Sequence, residues 1–200
     1  MIPLNQFYKP LPDIGLFAKM RSGKDEVFKI LDHMDFDIER VAFGDVLKES
    51  FYEHFPNIPK EPKPTRKLIE YGQAMREVDP DVWVRPAMNI KQMRSDILAQ
   101  AGLTVPSFVF TDIRQPNEYQ AVKNSGAFMV KVETPLELRI IRMFNLGEKV
   151  TPDMFEAPTE RNLDSFKYDY IIYNNGTMEQ LEKQVTEMLF KIQEKRTDEQ

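Results

Sequence analysis

Short apolar segments alternate with segments of helical period along most of this chain, and this alternation constrains the fold more than any other feature. The first pair is DIGLFA (residues 13–18) followed by KDEVFKILDHM (24–34), and four further strand–helix pairs come after it. Strands that are joined through helices pair in parallel, and the helices then cover both faces of the sheet. The sequence therefore predicts an α/β protein, a three-layer parallel sheet with helices on both faces.

Length and composition predict one compact domain. The chain has 200 residues, of which 42% are hydrophobic, which suffices for one core and is short for two. We divide the single domain 1–200 into a core of about 11–55, 105–145 and 166–196, a proline-rich insert of about 56–104, and a polar flap of about 146–165.

Two helices are predicted within the insert. We predict that Thr65 caps the first helix, and that the second helix begins at Asp79 and kinks at Pro86.

Composition also argues against several classes of protein. The net charge is −5, whereas a protein that binds nucleic-acid polymers usually has a basic surface. The chain has no cysteine, which excludes disulfides and thiolate metal sites. The N-terminal MIPLNQFYKPLPDIG has three prolines and no long apolar run, so we predict neither a signal peptide nor a membrane span, and we expect a cytoplasmic protein. The sequence does not indicate an oligomeric state.

The segment GLFAKMRSGKDEVF (15–28) joins the first predicted strand to the first predicted helix and is similar to a phosphate-binding loop. In such a loop, backbone N–H groups and the helix N-terminus bind an anion, and a lysine adds a full charge. Gly23 and Lys24 occupy the positions of the tight turn and the phosphate-binding lysine. The alternative is a plain helix-capping turn with Ser22 as the cap.

Two residues of this segment depart from the general pattern. Ala18 stands where that pattern has glycine, so we expect a backbone with negative φ there. Asp25 stands where the pattern has serine or threonine, and an unpaired carboxylate would repel a triphosphate. We therefore expect Asp25 to have Mg²⁺ between itself and the phosphates, or to pair with Lys19 or Arg21.

Several motifs together resemble those of phage and prophage deoxynucleoside monophosphate kinases and of the related animal-type phosphomevalonate kinases. SGKD (22–25) replaces GKS or GKT in these P-loop kinases, and VFTDIRQPNEYQAV (109–122) is close to the Asp-x-Arg-x-Pro-Asn-Glu signature of the phage enzymes. Other similar segments are FGDVLKE (43–49), YGQAMREVDPDVWVR (71–85) and LDSFKYDYIIYNNG (163–176). The resemblance thus extends along most of the chain.

The resemblance implies a nucleoside monophosphate kinase-like P-loop fold, in which the insert binds the phosphoryl acceptor and the flap is a lid. It implies ATP as donor, Mg²⁺ as cofactor and a small phosphomonoester acceptor, and we expect a deoxynucleoside monophosphate. Phosphomevalonate is a second candidate acceptor. A non-catalytic nucleotide-binding module is a third interpretation, because Ala18 and Glu26 replace the glycine and threonine usual in the family.

The resemblance also implies roles for individual residues. Lys24, Asp112, Arg114 and Arg142 would be catalytic, and Asp25 and Asp112 would hold the metal. ATP would be bound by Ala18, Lys19, Arg21, Ser22, Gly23, Lys24, Asp25, Glu26, Arg139, Asn174 and Gly176. The acceptor would be bound by Phe43, Lys48, Arg66, Arg76, Trp83, Arg85 and Glu118.

Structural alternatives stay open for these residues. Asp112 and Arg114 could form a surface pair, and Trp83 could belong to the core. The basic residues of the insert could lie on solvated helix faces. Arg139 and Arg142 share a helix face and could pair with Glu137, Glu148 or Glu160.

Overall fold

The structure is a computed structural model that describes residues 11–198, so most of the N-terminal segment for which we predict no signal peptide lies outside the described residues. Among residues 11–198, none of the helices combines the length and the apolar character that crossing a membrane requires. The elements of this part are β1 (Ile14–Ala18), α1 (Lys24–His33), β2 (Ile38–Val41), α2 (Phe43–His54), α3 (Thr65–Val78), α4 (Val84–Gln100), β3 (Ser107–Ile113), α5 (Pro116–Asn124), β4 (Phe128–Glu133), α6 (Leu136–Asn145), α7 (Pro158–Arg161), β5 (Tyr170–Tyr173) and α8 (Met178–Asp198), with short 3₁₀ helices at Pro152–Met154 and Asn162–Ser165.

The strands form one sheet in the order β2-β3-β1-β4-β5. The central strand β1 pairs in parallel with β3 and β4, and β4 pairs in parallel with β5. Ala18 lies opposite Val132, and Glu133 lies opposite Tyr173, so β1, β4 and β5 end at the same edge of the sheet. The prediction of a parallel α/β sheet is confirmed.

Residues of β1 alternate between the two faces of the sheet, and both faces are covered. Leu16 is fully buried in a core cluster that includes residues of α1 and α8. The next residue, Phe17, points to the other face, where its ring lies 6.1 Å from that of Tyr119 on α5 and 5.6 Å from that of Phe166. Helices therefore pack on both faces, as predicted, because a parallel sheet must bury its apolar side chains on each side.

The described chain divides into two compact units. The sheet unit contains residues 11–40 and 106–198, and the helical unit contains Val41–Val105, with α2, α3 and α4. The sequence predicted a single domain with an insert that begins at about residue 56. The helical unit also contains α2, and the division into core, insert and flap stays a prediction.

Two local predictions in the helical unit are wrong. The residue before α3 is Pro64, and Thr65 is the first helical residue rather than the cap. Helix α4 begins at Val84 instead of Asp79, so Pro86 lies in its first turn. A proline is tolerated there because the N–H groups of a first turn have no intrahelical acceptor, and no kink is required.

Candidate functional site

The loop between β1 and α1 has the backbone of an anion site. Arg21 and Gly23 have φ values of 62° and 87°, in the left-handed region. The residue that precedes α1 is Gly23, and among the described residues no side chain caps this helix. Ser22 is buried and is not the cap, which argues against a plain capping turn. Because the first N–H groups of a helix lack intrahelical acceptors, the N-terminus of α1 can bind an anion.

Two buried polar side chains and the half-buried Arg142 hydrogen-bond the carbonyl groups of this loop. The Asn174 amide donates a hydrogen bond to the Ser22 carbonyl at 2.9 Å. The Thr134 hydroxyl lies 3.0 Å from the same carbonyl, and Arg142 donates to the Arg21 carbonyl at 3.1 Å. These contacts fix the carbonyl groups of the loop, and within the loop the Ser22 N–H donates to the Lys19 carbonyl at 3.1 Å.

Arg142 hydrogen-bonds both the loop and Asn174, the residue that follows the last strand. Besides the Arg21 carbonyl, its guanidinium donates to the Asn174 carbonyl at 3.0 Å and to the Asn174 side-chain oxygen at 3.2 Å. Burial lowers the pKa of Arg142 from its ordinary value. The sequence suggested a catalytic arginine here, and the contacts in the structure are those of a residue that supports the loop. Asn174, expected to bind ATP, is likewise engaged with the loop backbone.

Three acidic residues of the flap, residues 146–165, each contact one of three consecutive loop residues. The contacts are those of the Lys19 amine with Asp164 at 2.8 Å, of the Met20 N–H with Glu160 at 3.0 Å, and of the Arg21 Nε with Glu148 at 3.0 Å. The expectation that Asp25 pairs with Lys19 or Arg21 is therefore wrong. Asp25 pairs with Lys24 at 2.9 Å, whereas carboxylates of the flap pair with Lys19 and Arg21.

Arg139 is buried and contacts residues of the flap. Its side chain is 7% exposed and pairs with Glu160 at 3.2 Å, which was one of the structural alternatives. It also donates to the Met20 carbonyl at 3.3 Å, and its guanidinium lies over the Phe155 ring at 5.5 Å. Among the described residues, no group accepts a hydrogen bond from its buried Nε.

Arg114 follows β3 at the same edge of the sheet, and a buried carboxylate shapes the turn around it. Glu118 is 3% exposed and accepts the backbone N–H groups of Arg114 and Gln115 at 2.8 and 2.9 Å. Glu118 was expected to bind the acceptor, and in the structure it caps α5. The Arg114 guanidinium lies 3.9 Å from Glu160 and keeps 39% of its side chain exposed. Asp112 is half-buried within β3.

The other predicted ATP-binding residues have local roles. Ala18 is the last residue of β1 and has ordinary strand backbone, as expected. Glu26 lies in the first turn of α1 and pairs with Lys29 at 2.8 Å. Gly176 lies in the turn before α8, close to the side chain of Gln180.

Asp25 and Asp112 are the carboxylates expected to hold a metal ion. The described residues contain no group of three or more histidine and acidic side chains that could hold a metal ion. Magnesium in phosphoryl-transfer sites typically needs only one or two carboxylates, since phosphates and water supply the other ligands. Asp25, whose side chain is 69% exposed, and Asp112 provide such carboxylates.

In the helical unit, the predicted acceptor residues include two buried aromatic rings. Trp83 is 3% exposed, and its Nε1–H donates to the Gly72 carbonyl at 3.3 Å. Its ring packs 5.8 Å from that of Tyr71, and Phe43 is also buried. Trp83 is therefore buried in the protein, which agrees with the alternative that it is a core residue.

The basic residues predicted to bind the acceptor also lie in this unit. Arg76 is half-buried, and it has contacts of its own within the protein. The other three pair with carboxylates of the same unit, namely Lys48 with Asp45, Arg66 with Glu70, and Arg85 with Asp79. The hydrogen bond from Arg85 lowers the pKa of Asp79 from its ordinary value.

Comparison with known proteins identifies the fold. No family model matches the chain. It is similar to a UPF0200 protein of Sulfurisphaera tokodaii, 25% identical over 189 residues that cover 90% of this chain and 96% of the relative.

Solved structures also align with the chain. The tunicamycin resistance protein of Deinococcus radiodurans aligns with 13% identity over 90% of this chain and 96% of its own, with a TM-score of 0.58. A gluconokinase from Sinorhizobium meliloti 1021 aligns with 14% identity over 94% and 97%, with a TM-score of 0.53. The chain has the fold of P-loop kinases.

Proposed function

We propose that this protein is a kinase that transfers the γ-phosphoryl group of ATP to the phosphate group of a deoxynucleoside monophosphate. The observation that carries the proposal is the loop before α1, which combines Gly23 at φ 87°, an uncapped helix N-terminus and Lys24. Such a loop binds the phosphates of a nucleotide through backbone N–H groups and the lysine. The gluconokinase that shares the fold is, by its name, also a kinase of a small molecule.

In the proposed reaction, an oxygen of the acceptor phosphate forms a bond to the γ-phosphorus of ATP. The bond between that phosphorus and the bridging oxygen breaks, and ADP leaves with the electron pair. No side-chain base is needed because the acceptor phosphate is already an anion. The protein contributes positioning and neutralisation of charge, which account for most of the catalysis in phosphoryl transfer.

The residues at the edge of the sheet divide this work. Lys24 and the N-terminus of α1 bind the β- and γ-phosphates, and Arg114 neutralises charge on the transferring group. Mg²⁺ held by Asp25 and Asp112 would offset further negative charge on the phosphates. The lid excludes water, which would otherwise accept the phosphoryl group.

The identity of the acceptor rests on fewer observations. Arg76 and Arg85 of the helical unit are our candidates for binding its phosphate, since arginine can bond a phosphate with two N–H groups. A stacking tryptophan would favour a nucleotide acceptor, but Trp83 is buried and donates its N–H to Gly72. The resemblance of residues 109–122 to the phage kinases supports the nucleotide. Phosphomevalonate stays the second candidate because the burial of Trp83 removes one argument against it.

An ADP-release assay with Mg-ATP and a panel of acceptors tests the proposal. The panel contains the common deoxynucleoside monophosphates, hydroxymethyl-dUMP, the ribonucleoside monophosphates, phosphomevalonate and dephospho-coenzyme A, with products confirmed by mass. Turnover of a deoxynucleoside monophosphate is the expected result. Turnover of phosphomevalonate alone would replace the acceptor. ATP binding by calorimetry without any turnover would favour a non-catalytic module, and absence of ATP binding would refute the loop assignment.

A pair of lysine variants locates the activity in the loop. Lys24→Ala should reduce turnover by about 100-fold or more, since it removes the full charge next to the phosphates. Lys29→Ala is the matched control, because Lys29 is an exposed lysine on the same helix that pairs with Glu26 three positions earlier. Thermal unfolding should show that both variants stay folded. Unchanged turnover in Lys24→Ala would contradict the assignment.

A further inference from the structure

Glu160 is the most buried acidic residue that contacts the loop. It lies on α7 in the lid, and its side chain is 3% exposed. Both carboxylate oxygens lie 3.0 Å from the Met20 nitrogen, and one also accepts from Arg139 at 3.2 Å. A buried carboxylate is stable only when such donors compensate for the loss of water. Its position is therefore fixed by the loop backbone and by a buried guanidinium.

The same carboxylate also lies within ion-pair distance of Arg114. The Arg114 Nη1 lies 3.9 Å from Glu160, while the Arg114 backbone N–H is bonded to Glu118 at 2.8 Å. The Glu118 bond thus fixes the Arg114 main chain, while its guanidinium lies within ion-pair distance of Glu160 and beyond hydrogen-bond distance. Since 39% of its side chain is exposed, the guanidinium still has a face from which it can reach a ligand.

The other two lid carboxylates differ from Glu160 in their surroundings. Asp164 and Glu148 pair with Lys19 and Arg21, and each of these four side chains is between 26% and 56% exposed. Exposed pairs of this kind contribute little, because water and salt screen them. They serve as controls for the effect of merely removing a charge from the lid.

We propose that Glu160 is a positioning residue of the transfer site, which sets the Arg114 guanidinium when the lid lies on the loop. The inference rests on the proposed function, in which Arg114 neutralises the transferring group. A lid that carries this carboxylate couples closure to the placement of a catalytic cation. Phosphoryl transfer then requires a closed lid for two reasons, to exclude water and to position the Arg114 guanidinium.

Kinetics of Glu160→Gln test this role, with Asp164→Asn as the matched control. Glu160→Gln should lower kcat by about 10- to 100-fold, while the KM for ATP changes much less, since Arg114 acts on charge that develops in the transition state. Asp164→Asn should change kcat by less than about twofold. An equal loss in both variants, or a loss confined to the KM for ATP, would overturn the proposal.

A double-mutant cycle separates positioning of Arg114 from a purely structural role through Arg139. If Glu160 acts through Arg114, Glu160→Gln should have little further effect on kcat in an Arg114→Lys background. A lid that is merely loosened would give the same fold-loss in both backgrounds, and that outcome would refute positioning. Thermal unfolding of all variants shows whether each remains folded.

An NMR measurement tests the proposal without enzymatic turnover, so it does not require that the acceptor be known. In protein labelled with ¹⁵N-arginine, the Arg114 Nε signal is assigned as the one missing from Arg114→Lys. Glu160→Gln should shift or broaden this signal, and Asp164→Asn should leave it in place. If no acceptor is turned over, the proposed function fails, while an unchanged Arg114 signal in Glu160→Gln would refute the positioning role itself.

Discussion

Gly23→Ala should strongly destabilise the loop between β1 and α1. Its φ of 87° is unfavourable for any residue with a side chain, and a left-handed backbone costs alanine about 1–2 kcal/mol. A Cβ at this position would also lie 2.1 Å from the Asn174 amide nitrogen. Asn174 is 7% exposed and donates to the Ser22 carbonyl, so its displacement breaks a buried hydrogen bond, at a cost of about 1–3 kcal/mol.

Gly126→Ala is the matched control for this change. Gly126 has a φ of 83°, almost the same as that of Gly23, but a Cβ there would have nothing within 4 Å. We expect Gly126→Ala to lower the free energy of unfolding by about 1–2 kcal/mol and Gly23→Ala by about 2–5 kcal/mol. Urea unfolding followed by circular dichroism measures both values, and calorimetry should show loss of ATP binding in Gly23→Ala alone.

The double variant isolates the clash from the backbone effect. In an Asn174→Ala background, Gly23→Ala should cost no more than Gly126→Ala does in the parent chain, because the obstructing amide is gone. Equal costs of Gly23→Ala and Gly126→Ala in the parent chain would refute the reasoning, since the two sites would then differ only in a contact without energetic effect.

Three further predictions concern Arg142, Trp83 and Asp79. Arg142→Lys should weaken ATP binding about tenfold, measured by calorimetry, because a lysine cannot replace the forked contacts to the loop and to Asn174, and one lost hydrogen bond of about 1.4 kcal/mol has this effect. Trp83, the only tryptophan in the sequence, should fluoresce at short wavelength, and saturating acceptor should not quench it, whereas quenching would indicate stacking. Since Arg85 lowers the pKa of Asp79 in the folded chain, this pair stabilises the chain above the unfolded-state pKa of Asp79 and loses that effect as the pH falls through the lowered value. The difference in stability between the parent and Asp79→Asn, measured by urea unfolding, should therefore shrink in acid.

The order of strands and helices could be predicted because each element leaves a local pattern. The sequence predicts a helix directly after Thr65, and the structure has α3 at Thr65–Val78, one residue earlier. The start of α4 could not be placed in the same way. Asp79 and Pro80 are typical of a helix start, but the Val82 and Val84 N–H groups bond to the Asp79 and Asp81 carbonyls in a turn that precedes the helix. Proline and aspartate favour both structures, so composition alone does not separate them.

The contacts of the candidate site were harder to predict than its members. The loop and the cations near it were recognisable, since a strand–loop–helix with Gly23 and Lys24 is a local motif. The partners of these cations lie far away in the chain. Lys19 and Asp164 are 145 positions apart, and Arg21 and Glu148 are 127 positions apart. The flap has no sustained hydrophobic period from which its backbone path could be predicted, so only the folded chain shows which carboxylate contacts which loop residue.

The central place of β1 has a consequence for how the chain emerges during synthesis. Both neighbours of β1 come after residue 105, whereas the helical unit is one continuous stretch that ends at Val105. A ribosome that has exposed all of the helical unit has therefore exposed β1 without either strand that pairs with it. We expect the apolar Ile14, Leu16 and Phe17 to need protection by a chaperone at that stage, and protease digestion of stalled chains would show it. Strand β1, which precedes the candidate loop, is thus made first and can pair with its neighbours only after most of the chain has been translated.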